Sequence, residues 1–74
     1  MSETETMLRL TVARSVAARF DCVVSEAQIS GGWLATMESA SHSGRHGGFL
    51  IRCEGSTRAK ALSDLITVAR QHDA

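Results

Sequence analysis

The chain lacks proline and tyrosine, and its 74 residues include only one tryptophan, two phenylalanines and two cysteines. So few cysteines do not build the disulfide framework of a small secreted domain. No apolar run approaches the roughly 18 residues of a membrane-spanning helix, and the N-terminal segment does not have the pattern of a secretory signal peptide. We therefore expect one reduced domain over residues 1–74, located in the cytoplasm and without membrane contact.

An excess of charge is also absent, because eight Lys and Arg residues balance eight Asp and Glu residues. Strong non-specific binding to nucleic acid depends on excess cations that neutralise phosphates, so this balance argues against it. A domain this small buries only about 60% of the surface of its unfolded chain. Dimerisation is one way to gain further burial. We therefore expect a protein partner and keep a homodimer open.

The first part of the chain has the pattern of an amphipathic helix. The opening SETE has the pattern of a capping box, which predicts that the Ser2 hydroxyl accepts from the backbone N–H of Glu5 and that the Glu5 carboxylate reaches back. Residues 7–12 also alternate as a strand does, but the Ala-rich continuation SVAARF favours a helix. The predicted apolar stripe consists of Leu10, Ala13, Val16, Ala17 and Phe20.

The middle of the chain has strand patterns, and a second helix follows them. CVVSEAQIS, residues 22–30, lacks a helical period, while WLATMES, residues 33–39, and FLIRCE, residues 49–54, alternate strictly. The last helix has Ser56 or Thr57 as its N-cap. Its apolar face is Leu62, Leu65, Ile66 and Ala69. This order predicts an α+β domain, αβββα, in which both helices cover one face of a three-stranded antiparallel sheet.

A long polar connection, SASHSGRHGG at residues 39–48, joins the last two predicted strands. Hairpin connections usually have about 2 to 5 residues, so this length indicates either a loop that contacts a partner or a long connection without a binding role. His42 and His46 do not combine with Cys22 and Cys53 into a zinc site. The histidines are not held on one helical face, and the cysteines are not paired as C-x-x-C. We expect no metal site.

Catalytic and cofactor motifs are missing as well. No nucleophile lies in a pattern that sets it beside an oriented base. The glycines form neither a G-x-G-x-x-G fingerprint nor a Walker loop. Cys53 alternates with Phe49 and Ile51, which predicts a small core residue rather than a reactive thiol. The sequence therefore predicts a protein that is not an enzyme and holds no cofactor.

Cations occupy an unusual place in the last helix. Arg58 and Lys60 lie in its first turn, where the helix dipole disfavours positive charge. One interpretation is that both are simply exposed, which makes their position nearly neutral in energy. The other is an anion site formed by the backbone N–H groups and basic side chains. The candidate partner- or anion-binding residues are then His42, Arg45, His46, Arg52, Arg58 and Lys60.

Two segments resemble a known family. GSTRAKALSDLI, residues 55–66, resembles the G-x-T-x-x-x-A-L-x-x-L pattern of HicB-like antitoxin domains and related small αβ proteins, and GGWLA, residues 31–35, is similar to the preceding strand in that family. The matching positions in the longer segment are Gly55, Thr57, Ala61, Leu62 and Leu65. The resemblance implies a dimerising protein that neutralises a toxin RNase by binding it. In size and style the chain also resembles phage-encoded inhibitors such as anti-CRISPR proteins.

The predicted order of elements is similar to that of double-stranded-RNA-binding domains. In that family the first hairpin loop enters the minor groove and basic residues at the start of the last helix contact phosphates. Arg58 and Lys60 lie where those basic residues would be. We expect a non-catalytic protein that inhibits or regulates a macromolecular partner by protein–protein contact, through the hairpin loop and the exposed sheet or helix ends. Direct binding to duplex RNA is the alternative.

Overall fold

A computed structural model describes residues 3–39 and 50–73. In chain order these residues form helix α1 (Glu3–Arg19), strands β1 (Cys22–Ile29), β2 (Gly32–Ser39) and β3 (Leu50–Gly55), and helix α2 (Arg58–Asp73). This αβββα order confirms the predicted α+β fold. Residues 7–12, whose pattern fits a helix or a strand, belong to α1. Neither described helix combines the length and the hydropathy needed to cross a lipid bilayer.

The strands form one antiparallel sheet in the order β1-β2-β3. Gly31 allows the tight turn between β1 and β2, because its φ of 82° lies in a region that other residues rarely adopt. In the register, Met37 of β2 lies opposite Val24 of β1 and Ile51 of β3. Residues opposite each other point to the same side, so the register assigns every strand residue to one of two faces.

Some sequence predictions concern residues outside the described part of the chain. They include most of the predicted loop at 39–48, since β2 ends at Ser39 and β3 begins at Leu50. Phe49, predicted to begin the last strand, and Ser2, predicted to cap the first helix, also lie outside the described residues.

Both helices pack on one face of the sheet. α1 contacts α2 and β1, and α2 contacts β2 and β3. Met37, Leu62 and Leu65 are fully buried in the centre of this layer. The other members of the core are Leu10, Ala13, Val16, Ala17, Cys22, Ala35, Ile51, Ala61, Ile66 and Ala69. Both predicted helix stripes are thus buried, except that Phe20 is only partly buried against the core. The many alanines let the helices approach the sheet closely and keep the core thin.

The junction between β3 and α2 is tightly built. Thr57 is the N-cap residue, because its hydroxyl accepts from the Lys60 backbone N–H at 3.1 Å and its carbonyl accepts from the Ala61 N–H at 3.1 Å. A Cβ atom on Gly55 would lie 2.6 Å from the Ala61 backbone nitrogen. Glycine at position 55 therefore permits the close approach of strand and helix that fixes the first turn of α2 beside the sheet.

Candidate functional site

The predicted site residues fall into two groups. Arg52 lies in β3, and Arg58 and Lys60 lie in the first turn of α2. The three predicted loop residues are outside the described part of the chain: His42, Arg45 and His46. The structure therefore describes the strand and helix part of the predicted cationic patch.

Arg58 is bound to Glu26 of β1. Its Nη2 donates to Glu26 Oε1 at 2.9 Å and its Nε donates to Oε2, so the ion pair is bidentate. The guanidinium also lies over the Trp33 ring, 5.8 Å from the ring centroid. The hydrogen bonds to Glu26 raise the pKa of Arg58, and the carboxylates of Glu26 and Glu3 add to this effect. Arg58 therefore anchors α2 to the sheet and is already engaged within the protein.

Lys60 and Arg52 differ from Arg58 in their surroundings. Lys60 Nζ lies 3.9 Å from Asp64 Oδ2, one turn further along α2, and both side chains are well exposed, so this pair is weak. Arg52 is exposed on the face of the sheet away from the helices, since the neighbouring Cys53 packs against the core. The structure thus brings Arg58 and Lys60 to the start of α2 and places Arg52 on the other side of the sheet.

The side of the sheet that faces away from both described helices carries aliphatic side chains among charges of both signs. Val23 and Leu50, on the two edge strands, are 47% and 52% exposed, and Glu38 lies between them in the register. Both described helices lie on the opposite face. We call this surface the open face and define it by Val23, Leu34, Glu38, Leu50, Arg52 and Glu54.

A groove runs between α1 and α2 on the exposed side of the helix pair. Its first lobe, of about 390 Å³, is lined by Leu8, Arg9, Val12, Ser63, Ile66 and Arg70. Its second lobe, of about 220 Å³, shares Val12 and Arg70 and adds Thr11, Ser15, Val16 and Arg19. We call the two lobes together the helix groove. Arg9 of α1 shares the first lobe with Ser63 of α2, and Arg19, at the end of α1, shares the second lobe with Arg70, near the end of α2. The two helices therefore run in the same direction.

One pattern in the sequence indicates the helix groove, and it lies outside the predicted apolar stripe of α1. Leu8 and Val12 are four residues apart, so they share a side of α1, and that side differs from the stripe around Leu10. This spacing indicates a second apolar surface on the same helix. The Glu26–Arg58 pair has no comparable local signal, because its members are 32 residues apart in the chain.

Both cysteines are free thiols. Burial raises the pKa of Cys22 and of Cys53, and the carboxylates of Asp21 and Asp64, respectively, raise it further. Cys22 Sγ also lies 3.4 Å from the Phe20 carbonyl oxygen and donates to it. Protonated thiols are poor nucleophiles, so these residues have the chemistry of core side chains. Within residues 3–39 and 50–73, no group of three or more His, Cys, Asp or Glu side chains is arranged to hold a metal ion.

Comparisons with protein-family models, with curated proteins and with solved structures find no match to this chain. Function is therefore inferred from the chemistry of its surfaces. The open face combines aliphatic side chains with both signs of charge, whereas the helix groove combines aliphatic side chains with arginines.

Proposed function

We propose that this protein is a non-catalytic regulator that binds a protein partner through the open face. The observation that carries the proposal is the exposure of Val23 and Leu50 on a sheet whose other side holds the core. Covering exposed aliphatic side chains removes apolar surface from water, which favours association. Arg52 lies among Glu38 and Glu54 on this face, and such a mixture suits a protein surface better than a phosphate backbone.

The proposed mode of action is steric. The domain covers a working surface of its partner and inhibits or regulates it, which requires no catalytic group, metal or cofactor. HicB-like antitoxins and phage-encoded anti-CRISPR inhibitors, which the sequence resembles, are two forms of such a regulator. The two free thiols fit a reducing compartment, so the proposal places the protein in the cytoplasm.

The area of the open face bears on the kind of partner. Strands lie about 4.8 Å apart and rise about 3.3 Å per residue, so the face measures roughly 300 Å² in projection. Stable interfaces bury about 800 Å² on each partner. The open face alone is therefore too small for a stable interface, and we propose that a different protein contacts it together with the edge strands. A homodimer, the expectation from domain size, would need the same additional surface.

Duplex RNA is the second candidate, and the αβββα order favours it. Two features of the described residues weigh against it. The β1–β2 connection is only residues 30–31, and Arg58 is bound to Glu26, whereas Lys60 is exposed and only weakly paired with Asp64. Charges on the open face are also mixed. A protein partner therefore agrees better with these contacts.

Affinity capture with matched variants tests the proposal. Leu50→Glu places a charge on the open face, and Ala18→Glu places the same charge on an exposed position of α1 away from that face. We expect a protein that is retained by the wild type and by Ala18→Glu, and retained at least about 10-fold less by Leu50→Glu. The same ranking should hold when purified partner and protein are mixed.

Two results would contradict the proposal. Equal retention by Leu50→Glu and Ala18→Glu would remove the open face from the interaction. Salt-sensitive binding to duplex RNA that is lost in Lys60→Glu would make RNA the partner instead. Light scattering across protein concentration separates a homodimer from both outcomes.

A further inference from the structure

The direction of the backbone N–H and C=O groups determines what each edge of the sheet presents. A two-residue turn joins β1 to β2, so Ile29 and Gly32, which flank it, form a hydrogen-bonded pair. Alternate residues of a strand point these groups to opposite edges. From Gly32 onward, every second residue of β2 therefore bonds to β1, and the residues between them bond to β3. In this register β3 turns the backbone groups of Leu50, Arg52 and Glu54 to its outer edge.

The outer edge of β3 is not paired with any strand within residues 3–39 and 50–73. After Gly55 the chain turns onto the inner face, where α2 contacts β2 and β3, and Arg58 reaches Glu26 of β1. α2 therefore lies over the sheet and not beside the edge. Unpaired N–H and C=O groups along a strand are a template for a further strand.

Arg52 and Glu54 are exposed neighbours on this edge strand, and both side chains point to the open face. In the register with β2, Arg52 lies opposite Thr36 and Glu54 lies opposite Leu34. The central strand thus places no opposite charge directly across from either residue. A strand added at the outer edge can supply those charges.

The charges of β3 are complementary to those of a second β3. In an antiparallel pairing centred on Cys53, Arg52 of each copy lies opposite Glu54 of the other, on both sides of a two-fold axis. A shift of two residues in either direction places Arg52 opposite Arg52 or Glu54 opposite Glu54. Only the centred register therefore satisfies both charges, and it also pairs the residues whose backbone groups point outward.

We propose that two copies of this chain pair through the outer edges of β3, antiparallel and centred on Cys53, into one continuous sheet with three strands from each copy. The backbone groups of the two edges form the ladder, and the Arg52–Glu54 contacts fix its register. Residues that lie opposite each other point to the same side, so the helices of both copies lie on one side of the sheet.

The side of α2 nearest β3 fits this arrangement. The Asp64 carboxylate is close enough to raise the pKa of Cys53, so Asp64 lies on the β3 side of α2. Val68, one turn later on the same side, is only partly buried against the core. A helix centred over β2 and β3 lies about 5 Å from the two-fold axis. The two α2 helices are then about 10 Å apart, which is the distance of packed helices, and each Val68 gains apolar cover.

The outer edge of β1 has no comparable pattern. Its only charged residue is Glu26, which is already bound to Arg58. β1 therefore offers no charge contact that selects a register, and it remains the edge strand of the dimer. Pairing through β3 also places two open faces side by side, about 600 Å² together, which is closer to the area of a stable interface. Only this last consequence rests on the open-face proposal.

Sedimentation velocity of the full chain from about 5 to 500 µM tests the pairing. The ladder is short, so we expect a reversible dimer whose dissociation constant lies in that range. Arg52→Glu and Glu54→Arg each place like charges opposite each other twice, and each should raise the dissociation constant at least about 10-fold. The double variant exchanges the two charges and restores opposite pairs, so its dissociation constant should return to within about 3-fold of the wild type.

Matched charge reversals away from the edge serve as controls. Arg14→Glu changes an exposed residue of α1, and Glu38→Arg changes an exposed residue of the central strand. Both should dimerise within about 2-fold of the wild type. Far-UV circular dichroism reports whether each variant is folded, so that a monomeric variant is distinguished from an unfolded one.

Three outcomes would overturn the proposal: a single monomeric species over the whole concentration range, equal dimerisation of the wild type and Arg52→Glu, or a double variant as weak as the single ones. Leu50 lies opposite Ser56 of the second copy, so Leu50→Glu adds no like-charge pair and should still dimerise. Because sedimentation uses no partner, a monomeric result would leave the open-face proposal standing. Failure of the capture experiment would likewise leave the dimer standing.

Discussion

The two faces of the sheet are made from neighbouring residues of the same strands, yet they differ in almost every physical respect. Met37 is completely buried, while Leu50, which lies opposite Glu38 on the next strand and points the other way, is 52% exposed. The inner face bears the core and the Glu26–Arg58 pair, and the open face bears unpacked aliphatic groups. Strand alternation alone produces this division. We infer that one face supplies stability and the other recognition.

The largest difference between the two faces is expected in the free energy of unfolding when one large side chain is removed from each. Met37→Ala should lower the free energy of unfolding by about 2–5 kcal/mol, because it deletes fully buried atoms and leaves a cavity. Leu50→Ala should change it by less than about 0.5 kcal/mol, because that side chain is half in water already. Denaturant unfolding monitored by Trp33 fluorescence measures both.

A domain of this size has little stability to lose, so Met37→Ala is accompanied by a milder variant. Met37→Leu keeps most of the volume and should cost less than about 1.5 kcal/mol. Equal effects of Met37→Ala and Leu50→Ala would show that the open face contributes to stability as much as the core does, and the division of roles would be wrong.

A smaller difference in the free energy of unfolding is expected when an acidic residue is replaced on each of the two faces. Glu26→Ala removes the partner of Arg58, whose side chain is only 32% exposed, and should lower the free energy of unfolding by about 1–2 kcal/mol. Glu54→Ala, on the open face, should stay within about 0.5 kcal/mol of the wild type. Arg58→Lys should behave more like Glu26→Ala than like the wild type, since lysine does not make the bidentate contact. Similar losses in Glu26→Ala and Glu54→Ala would contradict the anchoring role of Arg58.

The sequence predicts the elements well because their causes are local. Alternation in residues 33–39 and helical spacing from Leu62 to Ala69 depend only on near neighbours, and the N-cap at Thr57 needs only the turn that follows it. These patterns also determine which face of each element is buried.

Contacts between residues that are far apart in the chain cannot be predicted from such local patterns. Arg58 and Lys60 look alike in the sequence, yet one is held by Glu26 on the sheet and the other pairs only with its own helix. Whether a cation is available to a ligand depends on which acid the fold brings beside it. The helix groove requires the same knowledge, since Leu8 and Arg70 come together only when α1 packs on α2.

The smallest expected effect is alkaline destabilisation through the inner-face thiols. The pKa values of Cys22 and Cys53 are raised in the folded protein, mainly by burial, whereas in the unfolded chain thiols ionise near pH 8.5. The folded state therefore binds more protons above that pH, and the free energy of unfolding should fall as pH rises from about 8 to 10. The chain has no tyrosine and a single lysine, so few other groups titrate in this range. Denaturant unfolding under reducing conditions should show a weaker decline in the double variant Cys22→Ala and Cys53→Ala, and an unchanged decline would assign the effect to other groups.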